Sequence, residues 1–247
     1  MTVPRAALLS MLLRSFSAQG SWNYRTLIGC GFAFSLLPVL RVIYRGEPAR
    51  LAEAVRRHAD LFNSHPYFTP LALGAVTVLE GVEDPVVIER FKVAVRGSLG
   101  SLGDRLIWAG WRPVCVLGAV LAAALGASWG LLIGGFLLLY NAGHIFARVW
   151  SLRVGLEYGK RVGEKLRTAN VERLQQALQA AGSFLLGALL PLSATGRLTD
   201  TQLRWPWIAA AAVAVLPGVL YGARVRGPVA FAIAVLVLLA TMIGTGQ

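Results

Sequence analysis

The stretch Val114–Tyr140, VCVLGAVLAAALGASWGLLIGGFLLLY, holds 27 consecutive residues without a charge, and its reading decides the fold. As one helix it would run about 40 Å, longer than the roughly 30 Å hydrocarbon core of a bilayer. Gly126, Gly130, Gly134 and Gly135 offer places to bend, with Ser128-Trp129 between the halves. The expectation is a broken or re-entrant pair of helices rather than one straight span. Three further uncharged stretches follow: Leu174–Gly196, Trp205–Ala223 and Pro228–Gly244. The second and third are long enough to cross, and Trp205, Trp207 and Tyr221 are placed like interfacial anchors. Pro191 and Pro217 lie inside apolar stretches and are expected to kink them.

Upstream, the uncharged pieces Leu27–Leu40 and Tyr67–Leu79 are too short to span. Val3–Ser17, read as a helix, puts Leu8, Leu9, Leu12, Leu13 and Phe16 on one face, opposite Ser10, Arg14 and Ser17. Arg14 interrupts the apolar run after Arg5 before a plausible cleavage site, so the segment reads as retained rather than as a signal peptide. A basic helix is expected over Ala49–Phe62, with Leu51, Val55, His58 and Phe62 as its apolar stripe and Glu53 paired to Arg57. Asp84-Pro85 is a helix start and Gly97 a stop.

Composition agrees with a membrane. Of 247 residues, 56% are hydrophobic and 15% charged, against about 45–50% and 25% in soluble domains. The mean hydropathy of +0.61 excludes a disordered chain, a collagen, a coiled coil and most soluble enzymes. Lys and Arg number 24 against 12 acids, a net charge of +12. The basic runs Arg41–His58 and Arg148–Arg173 are expected on the cytoplasmic side, facing anionic lipid rather than nucleic acid. The sequence therefore predicts an all-α integral membrane protein. Several short, broken or re-entrant helices are followed by C-terminal transmembrane spans. Residues 1–173 form a core and residues 174–247 the C-terminal transmembrane helices.

The densest cluster of chemistry is Gly97-Ser-Leu-Gly100-Ser-Leu-Gly103-Asp104-Arg105-Leu-Ile-Trp108, continuing to Trp111-Arg112-Pro113. It lacks the Gly-Lys-Ser/Thr of a phosphate loop and the Gly-x-Gly of a dinucleotide site. Two readings stand. In one, glycines, a carboxylate and indoles supply what a sugar needs: polar partners for hydroxyls and a flat apolar face. In the other, it is a glycine-rich turn between helices, with Asp104 capping the second or pairing with Arg105 or Arg112. His58, His65 and His144 never approach metal spacing or a catalytic triad, and structural roles are expected for them. Glu80, Glu83, Asp84 and Glu89, among Arg90, Lys92 and Arg96, read as a solvated charged face. Cys30 and Cys115 read as small buried hydrophobes. Asn63 and Asn141 sit at the edges of apolar segments, where each needs a hydrogen-bond partner, either a neighbouring helix or a sugar.

Three motifs stand in the order found in one membrane family: Gln19-Gly-Ser-Trp22-Asn23-Tyr24, Arg57-His58…Phe62-Asn63…His65-Pro66, and Gly97–Pro113. The chain resembles the IID component of the mannose/fructose/sorbose family of bacterial phosphoenolpyruvate-dependent sugar phosphotransferase systems (PTS). The resemblance runs from Leu12 to Gly163, through Asn141 and Gly155-Leu-Glu-Tyr158-Gly159. It implies a multi-pass protein of the bacterial inner (cell) membrane. With a IIC membrane subunit it would form the translocation unit for hexose, while cytoplasmic IIA and IIB domains relay phosphate on their own histidines. It implies no catalytic residue, metal or cofactor on this chain. It assigns translocation or substrate binding to Asn63, Gly97, Gly100, Gly103, Asp104 and Trp108. Gln19, Trp22, Asn23 and Asn141 become structural or partner-facing. The family pattern has proline and glycine where this chain has Ser98 and Ser101, and a small residue at Arg105. The alternative is a non-transporting IID-like paralogue acting as an assembly or regulatory subunit.

Overall fold

The computed structural model describes residues 3–195. The expected spans Trp205–Ala223 and Pro228–Gly244, with Trp205, Trp207, Tyr221 and Pro217, lie outside the described residues. The chain divides into two compact units, Met1–Cys115 with Gly135–Gln179, and Val116–Gly134 with Ala180–Gln247.

Helix α1 (Arg5–Arg14) runs into a 3₁₀ turn, Ser15–Ser21. Then come α2 (Gly29–Ile43), α3 (Pro48–Ala59), α4 (Thr69–Leu79) and α5 (Pro85–Gly103). A π-helical segment, Asp104–Trp111, joins α5 to α6 (Arg112–Ala124). The remaining helices are α7 (Trp129–Tyr158), α8 (Val162–Thr168) and α9 (Val171–Thr195). Of the four glycines expected to let the run bend, Gly126 breaks the helix between α6 and α7 with a φ of +85°, whereas Gly130, Gly134 and Gly135 lie within α7. Among the described residues two continuous helices are long and apolar enough to cross a membrane, Pro85–Ala124 and Trp129–Arg167. Pro38 and Pro191 lie inside α2 and α9. The second unit, over its described residues, holds most of α6, the break at Gly126, the start of α7 and most of α9.

The core of the first unit centres on α4. Every residue from Thr69 to Leu79 is buried except Val78, which explains an apolar helix too short to span. It packs on α2 through Phe32, Leu36 and Leu40, and on α7 at a glycine crossing. A Cβ at Gly155 would lie 2.2 Å from the Leu71 carbonyl, and one at Gly74 would lie 2.7 Å from that of Leu152. Only hydrogen at both positions lets the two backbones approach this closely.

Several expectations need correction. In α1 the buried face is Met11 with Ala7, Leu8 and Leu12 half-covered, whereas Leu9, Leu13 and Phe16 are exposed. The predicted apolar face is therefore split between core and surroundings. Helix α3 ends at Ala59, and Phe62 is buried beyond it in an extended segment paired with Leu27. The basic run Arg148–Arg173 is not one connection: α7 continues to Tyr158 and buries Arg148. Cys115 is buried but Cys30 is exposed.

Candidate functional site

Helix α5 does not stop at Gly97. It runs through the glycine-rich motif to Gly103 and continues as the π segment, so the expected turn is helical. Helical spacing then puts Arg96, Gly97, Gly100, Ser101 and Asp104 on one face. The opposite face, Leu99, Leu102 and Leu106, is buried. That apolar face, anchored in the core, outweighs the helix cost of about 1 kcal/mol per glycine.

The polar face of α5 forms one wall of a groove of about 490 Å³, and Leu27, Leu61 and Asn63 form the other. The second wall is held by a small hydrogen-bonded knot. The Asn23 carbonyl oxygen accepts from the Arg25 and Thr26 N–H groups at 3.0 and 2.9 Å, and its amide donates to Ser21 O and Thr26 Oγ1. This Asx turn delivers Leu27 at φ +54°. Ile28 N–H then donates to Phe62 O, and Phe62 N–H to Thr26 O. The Asn23 side chain thus holds the turn that carries Leu27 to the groove wall. Trp22 and Gln19 are exposed beside it, with Trp22 edge-on to Tyr24 at 4.8 Å.

Four residues singled out from the sequence, Asn63, Gly97, Gly100 and Asp104, meet in this groove. Gly103 and Trp108 lie on another side of the segment, against His65. A Cβ at Gly103 would fall 2.1 Å from that of His65, and the Trp108 ring stands 5.1 Å from the imidazole, edge to face. At Gly100, by contrast, a Cβ would meet nothing within 4 Å. Asp104 carries no ion pair among the described residues, and Arg112 instead lies 5.3 Å over Trp108. Arg96, Ser101, Leu27 and Leu61 are groove residues that the sequence reading missed. Arg96 and Ser101 follow from i, i+4 spacing once the motif is helical, whereas Leu27 and Leu61 carry no signal of their own. Asn141 donates to Leu137 O at 2.7 Å and is exposed.

Two buried polar clusters flank α4. At its C-terminal end, Glu80 is fully inside, not on a solvated face. It accepts from Arg57 Nη2 at 2.8 Å, His58 Nε2 at 2.7 Å and the Tyr44 hydroxyl. Arg57 therefore pairs with Glu80 rather than with Glu53. Burial pushes the Glu80 carboxyl up, but the hydrogen bonds from His58, Tyr44 and Arg57 outweigh it and hold the group at about 2. Burial pushes His58 down to about 4, so it stays neutral and its Nε2–H donates. Lys92 reaches across from α5 to the Arg57 carbonyl at 2.9 Å, capping the end of α3. At the other end of α4, Arg148 is buried with no carboxylate in reach among the described residues. It donates to Ser15 O and Oγ at 3.0 Å and to His144 Nε2 at 2.6 Å, and packs over Phe16 at 4.2 Å. His144 stacks on Tyr67 at 3.9 Å, and Tyr67 N–H donates to His65 Nδ1 at 3.2 Å. This cluster backs the segment bearing Gly103 and Trp108.

A sequence model described as PTS system mannose/fructose/sorbose family IID component matches residues 2–199. The mannose-specific EIID component of Escherichia coli is 32% identical over 187 residues, 73% of this chain and 65% of that one. This chain thus spans about two thirds of that relative's length. A solved structure titled as a membrane protein is 29% identical, with a TM-score of 0.66 over 77% of this chain and 71% of that chain. The fold also matches that of the mannose transporter ManYZ in complex with a microcin, at 22% identity. There the TM-score is 0.59 over 100% of this chain and 98% of that chain. With two spanning-length helices among the described residues, the chain is an all-α membrane protein.

Proposed function

Because this chain belongs to the IID component family of the mannose/fructose/sorbose phosphotransferase systems, we propose that it is a membrane subunit of a mannose-type PTS permease. Joined to a IIC subunit it forms the path by which hexose enters, to be phosphorylated by IIA and IIB. The chain itself moves no phosphoryl group. Its histidines are committed to structure: His58 to Glu80, His65 beneath Gly103 and His144 to Arg148.

The observation that carries this reading is the groove. Leu27, Leu61 and Asn63 lie far in sequence from Gly97, Gly100 and Asp104, yet all meet in one cavity. Its volume of about 490 Å³ falls in the range of small-molecule sites, about 300–1,000 Å³. It offers a carboxylate, an amide and a hydroxyl beside an apolar wall, which suits a sugar ring with polar edges and C–H faces. The experiment is uptake. Cells holding IIC, IIA and IIB but lacking this chain should accumulate no hexose phosphate, and restoring it should restore accumulation. Full uptake without the chain would overturn the transport reading. Normal assembly with no uptake in its presence would favour the assembly subunit instead.

The same reading sets sidedness. Residues of both basic runs meet at one end of the first unit: Arg50 lines a cavity with Glu83, and Lys160 pairs with Glu83 at 2.7 Å. Lysine and arginine are retained inside, so this end faces the cytoplasm. Cysteines at positions 50 and 160, in a Cys30→Ser background because Cys30 is exposed, should resist an impermeant thiol reagent in intact cells. Labelling of both from outside would invert the orientation.

A further inference from the structure

Lys92 is a buried cation that forms no ion pair among the described residues, and it is only 5% exposed. Its ammonium donates to the Arg57 carbonyl at 2.9 Å and lies 5.6 and 5.9 Å over the Phe32 and Phe62 rings. Taking an ammonium out of water is costly, and a carbonyl at a helix C-terminus with two aromatic faces offsets part of that cost. An apolar side chain would fill the same space without it, so packing alone does not account for a lysine here. What the lysine adds is a link. Arg57 lies four residues before Leu61 and six before Asn63, both on the second wall of the groove. Lys92 lies on α5 four residues before Arg96, where the first wall begins. Among the described residues, theirs is the one hydrogen bond between α5 and the chain from Trp22 to His65 that carries the second wall. Further along α5, Gly103 rests against His65. Arg96, Gly97, Gly100 and Ser101 lie between these two contacts.

We infer that Lys92 is a positioning residue that sets the width of the groove, tying α5 to the end of α3 so that Asn63 and Asp104 line one cavity at a fixed separation. This rests on the transport reading and deepens it by naming a residue outside the cavity on which sugar binding depends. The ammonium is not part of the lining. It acts through Leu61 and Asn63. With the link cut, the second wall keeps its turn at Asn23 but loses its polar hold on α5, and one ligand no longer engages both walls at once.

The test is made on the complex of this chain with the proposed IIC subunit, with two readouts. The first is the separation of the walls without sugar, measured between spin labels at Leu61→Cys and Ser101→Cys in a Cys30→Ser background, Cys115 being buried. Lys92→Met, which keeps the stem but not the donor, should lengthen or broaden this distance. Lys92→Arg, which keeps a donor, should restore it. The second is mannose affinity by calorimetry, which should fall about tenfold in Lys92→Met and recover in Lys92→Arg. Asn63→Ala should weaken binding in the wild-type background but add little to Lys92→Met. Unchanged wall separation or unchanged affinity in Lys92→Met, with only a lower unfolding temperature, would overturn the proposal and leave transport standing. So would additive losses in the Asn63 pair, or loss of the complex in Lys92→Met and Lys92→Gln alike. A wild-type complex that binds no mannose would remove the transport reading, while the wall separation still decides whether Lys92 holds the groove.

Discussion

Glu80 serves three buried donors at once, and that economy makes it the residue on which the first unit most depends. Removing its charge while keeping its shape strands Arg57 in a site that is 8% exposed. Glu80→Gln should therefore cost about 3–5 kcal/mol, the usual loss when one partner of a buried pair is removed, read as a lowered unfolding temperature in detergent. The cluster also sets an acid limit. His58 is held at about 4 against 6.5 when unfolded, so the unfolded chain takes up its proton first and stability falls from pH 6.5 towards 4. Glu80, held at about 2, is likewise depressed, and its contribution is lost as pH drops from about 4.5 to about 2. His58→Gln, neutral throughout and able to donate to Glu80, should flatten the upper part of this profile. An unchanged slope above pH 4 would contradict the assignment of His58 as the neutral donor.

At the scale of the element, the decisive feature is a helix where glycine spacing suggested a turn. Gly100→Ala meets open space, while Gly103→Ala drives a methyl into His65. The first should leave the unfolding temperature unchanged or slightly raised, by removing unfolded-state freedom. The second should cost about 1–3 kcal/mol by overpacking. Equal effects at both positions would mean that α5 and the loop at His65 do not meet as described. This element marks where the sequence stops being legible. The break at Gly126, the cap at Asp84, whose carboxylate accepts from Val86 N–H at 2.8 Å, and the short apolar α4 are all local signals and were readable. The run Gly97–Gly103 was not, because what makes it helical is tertiary: Leu99 and Leu102 anchor its far face in the core. Glu80 was misread among neighbouring charges, although it directly follows the uncharged α4 whereas Glu83 and Asp84 lie beyond Gly81. Four of the six proposed path residues lie together, but Leu27 and Leu61, which share a wall with Asn63, come from segments that no spacing rule connects to α5.

For the molecule as a whole, helices α2 and α4 are too short to span and α6, α7 and α9 display broad apolar surfaces, among them Trp129, Leu138, Phe146 and Phe184, all more than two-thirds exposed. Such a surface needs lipid or another subunit to cover it. Expressed alone, the chain should aggregate or be degraded, and co-expression with the proposed IIC subunit should rescue it; a monodisperse, thermally stable single subunit in detergent would count against the partnership. Arg105 is exposed and stands outside the groove, so Arg105→Ser should leave hexose affinity unaltered. The role proposed for the groove along α5 is to take the sugar, with Asp104 accepting hydrogen bonds from its hydroxyls. The measurement that reaches it most directly is calorimetric titration of the purified IIC–IID complex with mannose, wild type against Asp104→Asn. A charged acceptor gives about 1.5–3 kcal/mol per hydrogen bond, so affinity should fall roughly tenfold or more with the complex intact. Unchanged affinity in an intact Asp104→Asn complex would contradict the claim.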